Sequence, residues 1–452
     1  MLMIFGKELK KIMWGIPYLL FVAVVTIALY SQGVFHFGDE KILHPEPGGT
    51  YGTKNEEIPE LIMPAALQSL YAEFQENLYR TYPFGLLKKI TLNEQEQTRI
   101  AEILSQITGI NTNEFQGKKE TSYSNNEFSI QIEGNGGLQA EDDGSFTISM
   151  DDPAIEDATT EDFPDLTVRE DLSYAEFKAL MQKADDILGG GSEYAAESLI
   201  GFGTVPVTYE EALDRYELMR TRDRVTGGYA RLFSDYAVAM TLSVLPVFLA
   251  VIMGMKDRSA DMSALIYTRK AASAKIVFAR YLALVTAVML PVILLSYISN
   301  VSVWDMYPGM GIDYFAPLKY DLCYIMPSAM IAIAVGMCLT ELTNTPIAIA
   351  VQGLWWFIDI NAGMRSVSAS YALLRLAPRH NAGTQSYFRT QDFIDNFPRL
   401  LANRLLFAGL SLLLVIATVF IFSAKRKGKI NGNHKLKKTL AGLRNRKNQS
   451  QA

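Results

Sequence analysis

The sequence predicts an all-α membrane protein of about six transmembrane helices, both termini cytoplasmic, with a large extracellular α+β domain between helices 1 and 2. Three observations carry this. A single apolar segment, 12–30, stands near the N-terminus. Roughly 190 polar residues follow it, and apolar segments then crowd the chain from Tyr236 to Phe422. Charge divides along the same lines: residues 36–230 hold 37 acidic side chains against 15 basic, whereas 425–447 hold ten Lys and Arg and no acid. The net charge of -6 is thus a cancellation across the last apolar segment, not a description of either side.

Each span is placed by an apolar run long enough for a hydrocarbon core of about 30 Å. The runs are 12–30, 236–255, 273–298, 322–340, 345–360 and 402–423. The first lacks a small-x-small cleavage site at Leu29-Tyr-Ser-Gln-Gly33 and reads as a retained anchor, not a signal peptide. The fifth is the shortest and carries Gln352 and Asp359, two candidates for a polar path through the membrane. Pro246, Pro291 and Pro327 fall inside spans, where neighbouring helices satisfy the freed carbonyls. Trp304, Trp355 and Trp356 read as interfacial aromatics near span ends.

Orientation follows the positive-inside bias. Lys7, Lys10 and Lys11 hold the N-terminus in the cytoplasm. Lys256, Arg258, Arg269, Lys270 and Lys275 hold the second connection there, and the basic tail holds the C-terminus. Arg365, Arg375, Arg379, Arg389 and Arg399 run against the bias, because this topology puts their connection outside.

In the acidic domain, apolar spacing predicts helices over 60–79, 92–107, 174–188 and 209–219. Alternation at 128–132 and 146–150 around a Gly-rich turn predicts a hairpin. The acid-dense run 151–165 reads as a solvated mobile loop, and Gly189-Gly-Gly-Ser192 as a flexible turn. Cys323 and Cys338, the two cysteines, both lie in an apolar segment, so no disulfide is expected in that domain.

Signatures of chemistry are missing. The chain has no Gly-x4-Gly-Lys-Ser/Thr phosphate loop, no HExxH and no nucleophile elbow. His36 and His44 lack a metal-ligand spacing, and no metal, cofactor or nucleic-acid partner is expected for this chain. If transport here uses ATP, a separate chain hydrolyses it.

The connection between the second and third apolar runs is the most suggestive motif. It reads Lys256-Asp-Arg-Ser-Ala-Asp-Met-Ser-Ala-Leu-Ile-Tyr-Thr-Arg-Lys-Ala-Ala-Ser-Ala-Lys275, with Met262, Leu265 and Ile266 on the apolar side of a short amphipathic helix. A solvated basic connection explains the same residues. The order of parts, however, resembles the ABC-2 type permeases, the membrane subunits of bacterial ABC exporters. Their second-to-third connection carries an acidic residue, a small amphipathic helix, a Thr-Pro-x-Ser-Arg-like turn and a Lys leading into the third span. Here Asp257 or Asp261 stands at the acidic position, Tyr267-Thr-Arg-Lys-Ala-Ala-Ser273 at the turn and Lys275 at the span. Asp replaces the usual Glu, and the turn has no Pro.

The resemblance implies that Asp257, Arg258, Asp261, Leu265, Tyr267, Arg269 and Lys275 dock in a cleft of a partner ABC ATPase, which binds the ATP and Mg²⁺. It implies a second permease copy, identical or related, in a bacterial plasma membrane, with the route between second and fifth helices. It also implies short re-entrant helices before the last span, where burial in protein would accommodate the dissenting arginines. The domains are then 1–33, a cytoplasmic stub with helix 1, and 34–232, the extracellular domain. Residues 233–424 form a five-helix region with a coupling segment at 256–275 and an extracellular or re-entrant segment at 361–400, and 425–452 form a basic tail. The alternative is a membrane-anchored sensor or surface-interaction protein whose extracellular domain binds a ligand.

Overall fold

The computed structural model describes residues 1–37, 41–82, 87–115, 131–132, 136–140, 146–149, 166–259, 271–362, 370–378 and 384–428. These fall into two compact units. Thr50–Thr208 forms one, and the described residues of Met1–Gly49 and from Tyr209 onward form the other. The acidic domain expected at 34–232 is therefore wider than the compact unit inside it.

The chain starts with α1 (Leu2–Met13) and α2 (Ile16–Ser31), bent at 67° to each other. Gly15 breaks the first helix, and Pro17 in the opening turn of the second costs no hydrogen bond there. The apolar helix thus begins at Ile16 instead of Ile12. Its 16 residues extend about 24 Å, short of a full hydrocarbon core.

The unit Thr50–Thr208 is built on α3 (Pro59–Glu76), α4 (Glu94–Thr108) and α5 (Tyr174–Ile187), close to three of the predicted helices. Their first turns explain their positions. Asn93 with Glu96, and Ser173 with Glu176, form reciprocal capping boxes that satisfy otherwise orphaned backbone N–H groups. Ile62, Leu70, Leu104, Phe177 and Met181 meet in one core. Short antiparallel pairs join β1 (Thr53–Asn55) to β7 (Thr204–Pro206) and β2 (Tyr79–Thr81) to β3 (Lys88–Ile90).

Two expectations need correction here. The predicted hairpin partners do not pair with each other: β5 (Gly136–Ala140) lies between β4 (Gln131–Ile132) and β6 (Phe146–Ser149). Its Gly-Gly-Leu-Gln-Ala sequence offers no alternation and no β-branched residue, so propensity conceals it. The Gly189–Ser192 turn is also built, not loose. Its three glycines take φ of 83 to 87°, where a side chain is strained. Buried Asp185 then accepts from both Ser192 N (2.7 Å) and Ser192 Oγ (2.8 Å).

The other unit continues with α6 (Tyr209–Thr221), which the sequence assigned to the acidic domain. Next, α7 (Thr226–Tyr236), a π-turn (Ala237–Leu242) and α8 (Pro246–Ser259) make one apolar stretch, Thr226–Lys256. After α9 (Ser273–Met306), a single turn (Ala316–Tyr320) and a second π-turn (Asp321–Ile325) lead into α10 (Met326–Thr343). The described helices end with α11 (Ile347–Ala362) and α12 (Thr390–Arg426). The protein is mostly helical. Among the described residues four helices are long and apolar enough to cross a membrane, five if the bent α1–α2 pair is one span; α11 is apolar but shorter.

Small residues let these helices approach closely. A Cβ on Gly336 of α10 would come within 2.7 Å of Ala250, and one on Gly254 of α8 within 2.9 Å of Thr340. Leu294 and Ile298 on α9, Leu354 and Phe357 on α11, and Leu405 and Phe420 on α12 remain exposed, a surface suited to lipid rather than water. Trp355 and Trp356 are not at a helix end. They sit within α11, Trp355 against Phe407 and Trp356 donating to the Ala239 carbonyl at 2.7 Å.

Candidate functional site

Both ends of the connection 256–275 leave the same end of the helical bundle, and that end is cross-braced. Arg280, two turns into α9, pairs with Glu8 of α1 at 3.4 Å. Lys425, near the end of α12, pairs with Glu341 of α10 at 3.3 Å and donates to Asn344 Oδ1 at 2.7 Å. Arg426 donates to the Ala271 carbonyl at 2.7 Å, fixing the chain just before α9 begins. A small cavity opens among these groups, lined by Glu8, Met253, Arg280, Thr340, Glu341 and Phe422.

Of the expected coupling residues, Asp257 and Arg258 have helical backbone in the last turn of α8, and Lys275 stands exposed in the first turn of α9. Asp261, Leu265, Tyr267 and Arg269 lie outside the described residues.

Gln352 and Asp359 are both buried, and neither lines the cavity. Gln352 Nε2 donates to the Ser243 carbonyl at 2.6 Å, just beyond the first π-turn. Asp359 accepts from Leu376 N (2.8 Å) and Ala377 N (3.1 Å) and stands 3.9 Å from Arg375. It therefore anchors the segment 370–378 against α11.

Arg404 of α12 holds the same segment from the other side. Its guanidinium donates to the carbonyls of Tyr324 (3.0 Å), Arg375 (3.1 Å) and Leu376 (3.3 Å) and to Ser328 Oγ (2.7 Å). Asn403 adds bonds to the carbonyls of Ala372, Leu373 and Arg375. Backbone without regular structure is tolerated among apolar helices when side chains satisfy it in this way. Of the arginines that oppose the charge bias, Arg375 is buried here, whereas Arg389 and Arg399 are exposed. Arg365 and Arg379 lie outside the described residues.

A second buried polar knot joins α7 to the start of α12. Fully buried Arg231 forms a bidentate pair with Asp223 and donates to Thr390 Oγ1 at 2.9 Å, with Phe393 stacked 4.5 Å from the guanidinium. Sequence reasoning missed this pair, because Asp223 lies in a polar run and nothing marks its partner. Arg404 was findable: an Asn-Arg dipeptide inside an apolar run demands a reason.

The unit Thr50–Thr208 has a half-buried acid of its own. Glu73 accepts from Tyr194 Oη at 2.8 Å and from Arg80 N at 3.2 Å. Burial pushes its carboxyl up to about 7, against the opposing pull of those two donors.

Among the described residues no group of three or more His, Cys, Asp or Glu is placed to hold a metal. The chain matches no family model, no curated protein and no solved structure.

Proposed function

We propose that this chain is the permease subunit of an ABC-2 type exporter in a bacterial plasma membrane. A separate ATPase subunit hydrolyses ATP with Mg²⁺ and docks on the connection 256–275. A second permease copy, identical or related, completes the pathway, and Thr50–Thr208 is displayed on the extracellular side. The substrate is left open by the residues.

What supports the reading is the bracing at the bundle end that carries this connection. A segment that transmits motion must be tied to elements that move together, otherwise force on it dissipates locally. Here α1, α9, α10 and α12 are joined by charged contacts within a few residues of where the connection leaves and returns.

The test is a pull-down of the tagged protein from detergent-solubilised native membranes, repeated with Tyr267→Ala plus Arg269→Glu. An ATPase subunit that accompanies the wild type and is lost from the double variant supports the reading and its docking segment together. If no ATPase is recovered under conditions that preserve another ABC complex, the exporter reading falls, and the sensor reading takes its place.

A further inference from the structure

Asp321 opens the π-turn before α10, inside the apolar stretch Ala316–Thr343, and is fully buried. Among the described residues neither carboxyl oxygen has a hydrogen-bond partner. The Ser296 hydroxyl of α9 lies against the carboxyl but without hydrogen-bond geometry, and it too is unpartnered. One turn further along α9, Asn300 spends its amide N–H on the Ser296 carbonyl at 2.9 Å and leaves Oδ1 without a donor. Ser296 and Asn300 are as buried as Asp321.

This arrangement is rich in acceptors and poor in donors. Nearby cations are already engaged, Arg231 by Asp223 and Lys319 by Asp313. Arg404, which reaches this π-turn at the Tyr324 carbonyl, is held by the carbonyls of Arg375 and Leu376, and Lys275 and Arg280 stand at the far end of α9. The other titratable groups here, Tyr229, Asp235, Tyr236, Tyr297, Asp305 and Tyr320, supply no positive charge. Trp304 Nε1, a further turn along α9, also lacks an acceptor and so does not reach the carboxylate. An ionised carboxyl left in this state would cost several kcal/mol, and a buried acid among apolar helices is kept for what it binds.

We propose that Asp321, Ser296 and Asn300 form a site for a monovalent cation, either a proton or an alkali ion. One carboxylate balances one positive charge, whereas a divalent ion would leave an unpaired charge in the apolar interior. The donors are all hard oxygens, which disfavours metals that seek nitrogen or sulfur. A π-turn places the carboxyl where an ordinary helix would not, and such turns recur at functional sites. This inference does not rest on the exporter reading; it holds equally for a sensor.

The test uses the full chain in detergent and dicyclohexylcarbodiimide, which modifies protonated carboxyls in apolar surroundings, with the modified peptide identified by mass spectrometry. In mildly acidic choline chloride the peptide carrying Asp321 is expected to be labelled, and the label is absent from Asp321→Asn. Slowing by about tenfold in NaCl, as for a ligand present at ~10 times its dissociation constant, identifies an alkali ion. In that case Asn300→Ala keeps the labelling in choline but loses the protection. Labelling that ignores Na⁺ and fades as pH rises identifies a proton. An Asp321 peptide unmodified in choline at every pH, in a protein whose melting temperature is indifferent to Na⁺, overturns the site.

Discussion

Arg404 donates to Ser328 Oγ at 2.7 Å, and Ser328 Oγ donates in turn to the Leu376 carbonyl at the same distance. The guanidinium also reaches Leu376 directly, so α12, α10 and the segment 370–378 close on one residue from two directions.

Arg404→Leu is expected to destabilise the helical unit by about 3–5 kcal/mol, because it removes the one group that ties the buried carbonyls of Tyr324, Arg375 and Leu376 together. Arg404→Lys restores little, since an ammonium cannot span the same set of acceptors. Thermal unfolding of the purified protein in detergent measures both.

Asp223 and Arg231 make a complementary case. Either truncation alone leaves a buried charge unpaired and is expected to cost roughly 3–5 kcal/mol. The double variant Asp223→Ala plus Arg231→Ala is expected to cost clearly less than the sum. A double-mutant cycle on unfolding free energies measures that difference.

Gly228 has no room for a methyl group, since a Cβ there would fall 2.1 Å from the Phe388 ring. Gly228→Ala is expected to lower stability by about 1–3 kcal/mol through overpacking. Phe388→Leu in the same chain is expected to recover part of the loss, which the same melting assay reads.

Glu73 makes the unit Thr50–Thr208 sensitive to pH. Its carboxyl rises from 4.5 unfolded to about 7 folded, so between those values the folded state holds the extra proton. Stability is therefore highest below pH 4.5 for this group and falls as pH rises through that window. The drop is roughly 1–2 kcal/mol after allowance for partial exposure to solvent. Calorimetry across the window is expected to show the slope in the wild type and its loss in Glu73→Gln.

Continuous apolar runs announced the long helices, because nothing except a helix lets so many apolar residues share a backbone without unsatisfied groups. Helix ends were less readable. The last predicted run begins at Ala402, yet α12 starts at Thr390 and continues through Pro398. Phe393 and Phe397 hold that extra stretch through contacts with Arg231 and with each other, which no local window contains. The polar residues show the same limit. Asp359 was conspicuous in an apolar run, but its partners, the backbone N–H groups of Leu376 and Ala377, come from beyond the end of its own helix. The coupling residues 261, 265, 267 and 269 remain a reading of sequence.

The lengths of α9 and α12 have a mechanical meaning. At 34 and 37 residues they extend about 51 and 55 Å, while a hydrocarbon core is about 30 Å deep. In a bilayer, some 20 Å or more of each stands clear of the lipid as a stiff lever. Tilting such an arm by about 10° sweeps its tip through roughly 4 Å, a shift of the size that repacks helix contacts. The charged ties Glu8–Arg280 and Glu341–Lys425 both sit at one end of these helices, so a rotation about that end would move the opposite tips the furthest.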